Sequence, residues 1–282
     1  MSYLTYLKGK FNIAENTALI DNAIKYLGTE YPLSDITLKG YEIIDNWFEE
    51  IKLKWNVEVK TLNLTKPTFH GDLEPKSKGF IINLNKNLFT TQRRFVIAHE
   101  LAHIISFETK SEWPEHAVFH SWSEEHYCNR IARAMLLPKT LIDFTKFDLT
   151  NINAEQINYI KYLWPEFKVA PWQILTKLFE DFDSSTLVGI LWEYFPKESC
   201  LRIIDHYHPK NIFIPKKDRI FLDNLMKKKK TNVSPELAFN TNDIFQGEDI
   251  IEIGSLYKKR LLSTTFPIKT KSTTYIIQII KT

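Results

Sequence analysis

The spacing of apolar residues divides the first 90 positions into a helical part and a part with strands. Apolar residues recur at helical spacing over residues 16–27 and 37–55, which predicts two amphipathic helices. Alternating apolar positions over residues 57–64 and the apolar run Phe80–Leu84 then predict two strands. Separate blocks of helices and strands are typical of an α+β fold.

Two further helices are predicted in the middle of the chain. Threonines at the start of segment 90–106 can N-cap the first of them, and residues 107–121 are expected to form a loop. Ser121 and Glu124 have the spacing of a capping box, which begins a second helix. Pro138 should end that helix at about the preceding residue, because the residue before a proline avoids helical geometry.

The last hundred residues change to strand-like patterns after helices predicted over residues 154–163 and 171–182. The strands are predicted over residues 187–195, 200–206, 211–215 and 274–280. This change predicts three parts, namely an N-terminal helical segment 1–39, a central domain 40–184 and a β-rich C-terminal domain 185–282.

Composition indicates an ordinary globular protein and excludes several kinds of site. Of the 282 residues, 44% are hydrophobic and 25% are charged, so the chain can bury a core. Its 8 glycines never form the Rossmann fingerprint, the P-loop or the hydrolase nucleophile elbow. Two cysteines cannot build a disulfide framework, which favours a reducing compartment.

Charge and hydropathy predict the surroundings of the protein. A net charge of +3 is too small to indicate a nucleic-acid partner, and the lysine run 227–230 is expected to be solvated. The N-terminus lacks the apolar core of a signal peptide, and no apolar run reaches the 18 residues of a membrane helix. We therefore expect a cytoplasmic protein without membrane segments, whose oligomeric state the sequence leaves open.

The segment His99-Glu100-Leu101-Ala102-His103 is an H-E-x-x-H motif inside the helix predicted over residues 90–106. On a helix, residues four apart lie on one face, so the two imidazoles can bind one metal ion while the glutamate acts as a general base. The structural alternative is a buried helix whose two histidines are satisfied by hydrogen bonds.

A catalytic zinc site needs a third protein ligand. The metzincin continuation requires Gly at position 106 and His at position 109, where this chain has Ser and Thr. A glutamate on the following helix is the other source. Glu125 is favoured over Glu124, because Asn129 lies four residues after Glu125 and can accept a hydrogen bond from a zinc-bound histidine, whereas Glu124 is followed at that spacing by Cys128.

Several other polar residues remain open candidates for further roles. The pairs His116/His120 and His206/His208 could form metal sites, although a loop and a strand end are the simpler interpretations. The strand residues Phe80, Ile81, Ile82 and Asn83 are equally an interior strand or an edge strand that pairs with a peptide substrate. Candidates for oxyanion stabilisation are His70, His116, His120, His126, Tyr127, His206 and His208.

The two metal helices resemble the ImmA/IrrE family of zinc metallo-endopeptidases. The resemblance rests on three segments: Arg94 to His103 with its H-E-x-x-H, Glu125 to Ala132 with its Glu-x-x-Cys-Asn, and the Leu-Leu-Pro at 136–138. It covers about residues 40–182 and is strongest at the two helices. Ala102, Cys128 and Ile131 replace the family's usual Gly, Ala and Phe, which are exchanges among small or apolar residues.

This resemblance implies a zincin-like helical core with a small β-sheet and one Zn²⁺ per chain. It assigns His99, His103 and Glu125 as zinc ligands and Glu100 as the general base. Family members typically cleave a helix-turn-helix repressor in stress response or mobile-element control, so a protein substrate of that kind is implied. The alternatives from other classes are a catalytically silent zinc scaffold that binds a partner protein, and a nucleic-acid-linked sensor.

Overall fold

A computed structural model describes residues 23–30, 38–63, 70–109, 122–142, 147–148, 153–181, 187–195, 197, 200–207, 245–253, 257–269 and 274–281. These residues fall into two compact units. The first comprises Met1–Asp143 with Leu163–Ala170, and the second comprises Phe144–Tyr162 with Pro171–Thr282. The division 1–39, 40–184 and 185–282 expected from the sequence stays a prediction.

The first unit contains three long helices and a small sheet. Residues 23–30 are helical. The elements that follow are helix α1 (Gly40–Lys54), strands β1 (Val57–Leu62), β2 (Gly71–Lys76) and β3 (Gly79–Asn85), and helices α2 (Thr90–Thr109) and α3 (Trp122–Leu136). The sequence predicted all of these except β2, whose charged residues, glycine and proline hide the strand pattern. The loop expected over residues 107–121 lies mostly outside the described residues, and α2 continues through its first three positions.

Local sequence explains where the helices form and which faces they bury. Helix α1 buries Ile43, Ile44, Trp47, Phe48 and Ile51, which share the helical spacing seen in the sequence. In α2, the buried positions Ala98, Leu101, Ala102, Ile104 and Ile105 lie within the H-E-x-x-H segment or directly beside it. Because these residues lie on more than one face, α2 is a core helix rather than a surface helix.

The small sheet has strand order β1-β3-β2. Strand β1 pairs parallel to β3, with Val59 opposite Ile82, and β2 pairs antiparallel, with Leu73 opposite Ile82. Strand β3 is therefore the central strand, and the interpretation of Phe80, Ile81, Ile82 and Asn83 as an edge strand is wrong. Its five residues from Ile81 to Asn85 are all buried, as expected for a strand covered on both sides.

The second unit is built around a five-stranded antiparallel sheet. Its helices are α4 (Ala154–Phe167, of which the last residues belong to the first unit) and α5 (Pro171–Asp181). The strands are β4 (Leu187–Phe195), β5 (Cys200–Tyr207), β6 (Phe245–Ile253), β7 (Tyr257–Lys269) and β8 (Thr274–Lys281), in the order β5-β4-β8-β7-β6. The strand predicted at 211–215 lies outside the described residues, and the sequence did not predict β6 and β7.

Helix α5 and strand β4 pack closely because β4 has a glycine at the contact. A Cβ atom at Gly189 would collide with the ring of Phe179, so no larger residue fits there without moving the ring. The indole N–H of the buried Trp192 on β4 donates to Gln278 on β8 at 3.2 Å. The first contact joins α5 to the C-terminal sheet and the second joins two strands of that sheet, so Pro171–Asp181 groups with the second unit.

No helix in the described ranges has the length and apolar character needed to span a membrane. The observed helices and strands agree with the α+β class expected from the sequence.

Candidate metal centre

Helix α2 places its two histidines side by side, as their spacing of four requires. The rings of His99 and His103 have centroids 4.9 Å apart and are nearly perpendicular, at 84°. Their Nε2 atoms lie 3.2 Å apart. The two imidazoles therefore direct the same ring nitrogen to one point.

Helix α3 brings a carboxylate to this point. Glu125 Oε2 lies 3.0 Å from His99 Nε2, and Glu125 Oε1 lies 3.6 Å from His103 Nε2. The three ligand atoms offered by His99, His103 and Glu125 all lie within 4.8 Å of one another. The sequence predicted these three residues as the ligands. The fold brings Glu125 to the two histidines although it follows His103 by 22 residues in the chain.

The donor set fits a zinc ion. Zinc bonds of about 2.0–2.2 Å to imidazole nitrogen and carboxylate oxygen, arranged as a tetrahedron, separate two ligand atoms by roughly 3.3 Å. The His99–His103 and His99–Glu125 distances of 3.2 and 3.0 Å are close to that value. Two nitrogens and one oxygen also leave a fourth position open, as in catalytic zinc sites.

Each histidine uses its other ring nitrogen for a contact with α3. His99 Nδ1 lies 3.0 Å from Asn129 Oδ1, so an Nδ1–H can donate to this amide oxygen. His103 Nδ1 instead faces Cys128 Sγ at 3.3 Å and Glu124 Oε1 at 3.6 Å. The sequence reasoning anticipated Asn129 and gave Glu124 no role. The signal it passed over is the spacing of Glu124 and Cys128, which are four residues apart and face one histidine.

Glu100 lies in the same turn of α2 and is buried, with 6% of its surface exposed. Burial raises the pKa of its carboxyl group. His99 and His103 lower it, and the carboxylates of Glu125 and Asp72 raise it again, so that the pKa ends above its ordinary value. A carboxylate with a raised pKa is a better proton acceptor at neutral pH than an exposed one.

The pKa of His99 reflects the same crowding of charges. Burial lowers this pKa, but the hydrogen bond that His99 donates to Glu125, the charges of Glu100 and Glu125 and the contact with Asn129 outweigh burial and raise it. In the metal-free protein the site therefore favours positive charge at the point where a cation would bind.

Strand β2, which the sequence did not predict, lies next to this centre. A Cβ atom at Gly71 would lie 2.5 Å from Val96 Cγ1 on α2, so the strand approaches the helix as only glycine allows. Asp72 is near enough for its charge to affect Glu100. The sheet order makes β2 an edge strand, so the edge beside the site is β2 and not β3.

Among the described residues β2 pairs with β3 alone, and the hydrogen-bond register shows which backbone groups of β2 point away from β3. The Asn85 N–H donates to the His70 carbonyl at 3.0 Å, which makes His70–Asn85 a hydrogen-bonded pair of the antiparallel ladder. Because such pairs alternate, Gly71, Leu73 and Pro75 direct their backbone groups away from β3. Pro75 has no N–H, so Gly71 and Leu73 provide the pairing positions on this edge.

The remaining sequence candidates fall at other places. His70 is exposed beside the start of β2, and Tyr127 is buried in α3. His126 lies in α3 and His206 in β5, but their side chains are not among those described. His116, His120, His208 and the lysine run 227–230 lie outside the described residues. The assignment of an oxyanion-stabilising group therefore stays open.

Comparisons with known proteins agree with the sequence resemblance. Residues 54–177 match a peptidase family model described as the IrrE N-terminal-like domain. Among solved structures, the chain is similar to a Mycobacterium tuberculosis transcriptional regulator, with 14% identity, a TM-score of 0.52 and coverage of 95% of this chain and 78% of that one. At this identity the likeness concerns the fold alone. No curated protein compared with the chain matches it significantly.

The family match spans β1 to α5 and includes both helices that carry the His-His-Glu group. This match over residues 54–177 supports the resemblance of the central part of the chain to the ImmA/IrrE family.

Proposed function

We propose that this protein is a zinc-dependent endopeptidase that hydrolyses one peptide bond in a specific protein substrate. The observation that carries the proposal is the convergence of His99, His103 and Glu125 next to the buried carboxylate of Glu100. Structural zinc sites are closed by four protein ligands, whereas this group offers three, and a site that only held a metal would have no use for the adjacent buried carboxylate of Glu100.

The residues of the site divide the work of hydrolysis. His99, His103 and Glu125 would hold the zinc ion, and Asn129 would fix the His99 ring with its Nε2 toward the ion. When bound, zinc lowers the pKa of water to about 7 and polarises the carbonyl under attack. Glu100 accepts the proton of the attacking water and then delivers it to the leaving amine, so one carboxylate acts first as base and then as acid.

The edge of β2 that points away from β3 is the proposed place for the substrate backbone. A peptide that pairs with Gly71 and Leu73 would lie along the strand whose Asp72 is electrostatically coupled to Glu100. Main-chain pairing gives affinity without reading sequence, so side-chain contacts elsewhere must supply the specificity. This assignment replaces the alternative in which Phe80, Ile81, Ile82 and Asn83 of β3 form the edge that pairs with the substrate.

For the substrate we propose a helix-turn-helix transcriptional repressor. The support is the family resemblance, since such enzymes typically cleave repressors. A fold shared with a protein described as a transcriptional regulator is consistent with a regulatory setting. Such a reaction would take place in the cytoplasm, where it would relieve repression under stress. The C-terminal unit is proposed to select the substrate or to receive a signal.

The test uses the full chain and the Glu100→Gln variant. Metal analysis of both should find about one zinc per chain. Wild type should cleave a repressor encoded next to its own gene at a single position, and Glu100→Gln should lose cleavage while it keeps zinc. Equal cleavage by both proteins would refute the role of Glu100. Zinc binding without cleavage by wild type would favour the alternative, a silent scaffold that binds a partner.

A further inference from the structure

Strand β2 runs alongside the part of α2 that carries Glu100. Gly71, at the start of β2, approaches α2 so closely that an added Cβ atom would lie 2.5 Å from Val96 Cγ1. Val96 and Glu100 are four residues apart and therefore lie on one face of α2. Asp72, which follows Gly71, is near enough to Glu100 for its charge to act there. A peptide on the outer edge of β2 would therefore pass Glu100 close to Asp72.

The register of β2 makes Asp72 the central position of this edge. Gly71 and Leu73 point their backbone groups away from β3, whereas Pro75 has no N–H for the next hydrogen bond. A peptide that pairs antiparallel with the edge thus bonds to Gly71 and Leu73, and its residue between these bonds lies opposite Asp72. In such a non-hydrogen-bonded pair the two Cα atoms are about 4.5 Å apart, so the facing side chains come into contact.

The side chain of Asp72 is held on the face of the sheet that points away from α2. Side chains alternate along a strand, so Asp72 and Glu74 lie on the face opposite to that of Gly71, which contacts α2. Asn83 of β3, which is only 9% exposed, donates from Nδ2 to Asp72 Oδ1 at 2.9 Å and to Glu74 Oε2 at 3.4 Å. Both carboxylates are exposed, and this buried amide fixes them where a substrate side chain would lie.

Within the described ranges, no lysine or arginine forms an ion pair with Asp72 or Glu74. The two carboxylates share the neutral amide of Asn83 instead. On the same face of the sheet, by contrast, Glu58 of β1 pairs with Lys76. A cationic side chain opposite Asp72 would therefore meet two carboxylates that are already held in place, and opposite charges across a strand pair attract.

We propose that Asp72 is a specificity-determining residue that selects substrates with a lysine or arginine opposite it on the edge of β2. Glu74 is the diagonal neighbour of that substrate residue, within reach of a long side chain, and strengthens the preference. The inference rests on the proposed function, because it assumes that the substrate backbone pairs with β2. It adds the chemistry of the segment that is cut, namely an extended peptide with a basic residue close to the cleaved bond.

The first experiment incubates the zinc-loaded full chain with a synthetic peptide library of randomised sequence and identifies the cleaved bonds by mass spectrometry. Lysine and arginine should be enriched over alanine at one fixed distance from the cut. The enrichment should be about 1.5-fold to 5-fold, as expected for an opposite-charge pair across two strands. A change in the overall rate affects every peptide equally, so the enrichment reports selection alone.

Variants of exposed residues assign the preference to one carboxylate. Asp72→Asn keeps the size of the side chain and should reduce the enrichment, whereas Asp72→Lys should shift it to aspartate and glutamate at the same position. The matched control is Glu58→Gln, which removes a carboxylate from the same face at the opposite edge of the sheet. This control should keep the enrichment of wild type.

The second experiment measures binding without cleavage. Immobilised full-length Glu100→Gln captures peptides from the same library, and the captured peptides are sequenced. Peptides with lysine or arginine should be enriched, and the enrichment should fall at high salt, because salt screens interactions between exposed charges. Adding Asp72→Lys to this variant should abolish the enrichment, and adding Glu58→Gln should leave it unchanged.

Two results would overturn the inference: cleavage without a preference for a basic residue at any position, or a preference that Asp72→Lys leaves unchanged. Failure of zinc-loaded wild type to cleave either the library or the repressor would instead refute the proposed function. The capture experiment would then decide the inference, and equal capture of basic and acidic peptides would overturn it. The two failures are therefore distinguishable.

Discussion

Replacing Asn129 with alanine tests how much one amide oxygen contributes to the metal site. The change removes the acceptor that lies 3.0 Å from His99 Nδ1. In the metal-free protein His99 can place its proton on Nε2, beside Glu125, so the loss is small there. Zinc binding forces the proton onto Nδ1, where the variant offers it no partner, and the cost therefore falls on the zinc-bound state.

The size of this cost follows from the burial of the ring. The His99 side chain is 12% exposed, so an unpartnered Nδ1–H is largely removed from water. An unsatisfied buried donor costs about 1–3 kcal/mol. At about 1.4 kcal/mol for each factor of ten, zinc affinity should fall roughly 5-fold to 150-fold.

The assay is competition for zinc between the protein and a coloured chelator at fixed pH. Asn129→Asp is the matched control, because it keeps an oxygen acceptor of the same reach and should bind zinc at least as tightly as wild type. If Asn129→Ala binds zinc within about twofold of wild type while Asn129→Asp is unchanged, the amide is not the partner that orients His99.

Three other predictions test the substrate edge, the charge of the site and the division of the chain. Gly71→Val needs space that Val96 occupies, so β2 should move from α2 and cleavage should fall roughly 10–100-fold at unchanged zinc content; an unchanged cleavage rate would contradict the β2 assignment. The pKa of His99 is raised above its ordinary value of 6.5, and zinc must displace the proton that His99 carries. As the pH is lowered, zinc affinity should therefore start to fall before the pH reaches 6.5. A flat affinity down to pH 6.5 would disprove this. A chain ended after residue 184 keeps every proposed zinc ligand and should bind one zinc, but it should aggregate because Phe179 loses its contact with β4; loss of zinc would show that the ligands depend on the C-terminal sheet.

The sequence by itself determined the local elements and most of the site. Helical spacing predicted α1, and capping residues together with Pro138 predicted α2 and α3, all to within a few residues, because these signals are local. The spacing of four in H-E-x-x-H placed His99 and His103 on one face before any contact was known. The same rule joined Glu125 to Asn129, and the structure brings these four residues together.

Tertiary structure decided what depends on pairing between distant segments. Strand β2 carries Asp72, Glu74 and Pro75, so its sequence lacks an apolar alternation, and it becomes a strand by pairing with β3. Strand order likewise made β3 central and β2 the edge, which no local pattern encodes. Pairing across a sheet depends on neighbours that are remote in sequence. The β-propensity of a residue describes only how well its side chain fits a pleated sheet, so it does not say which strands pair.

The same reason explains why Glu124 lies against the His103 ring. Glu124 and Glu125 are adjacent in the sequence, and the site needs only one carboxylate as its third ligand. Sequence spacing favoured Glu125 and left Glu124 without a role. The packing of α3 against α2 sets Glu124 against Nδ1 of His103 and Glu125 against Nε2. Sequence spacing fixed which residues share a helix face, whereas the packing of the two helices fixed which side of the imidazole each carboxylate meets.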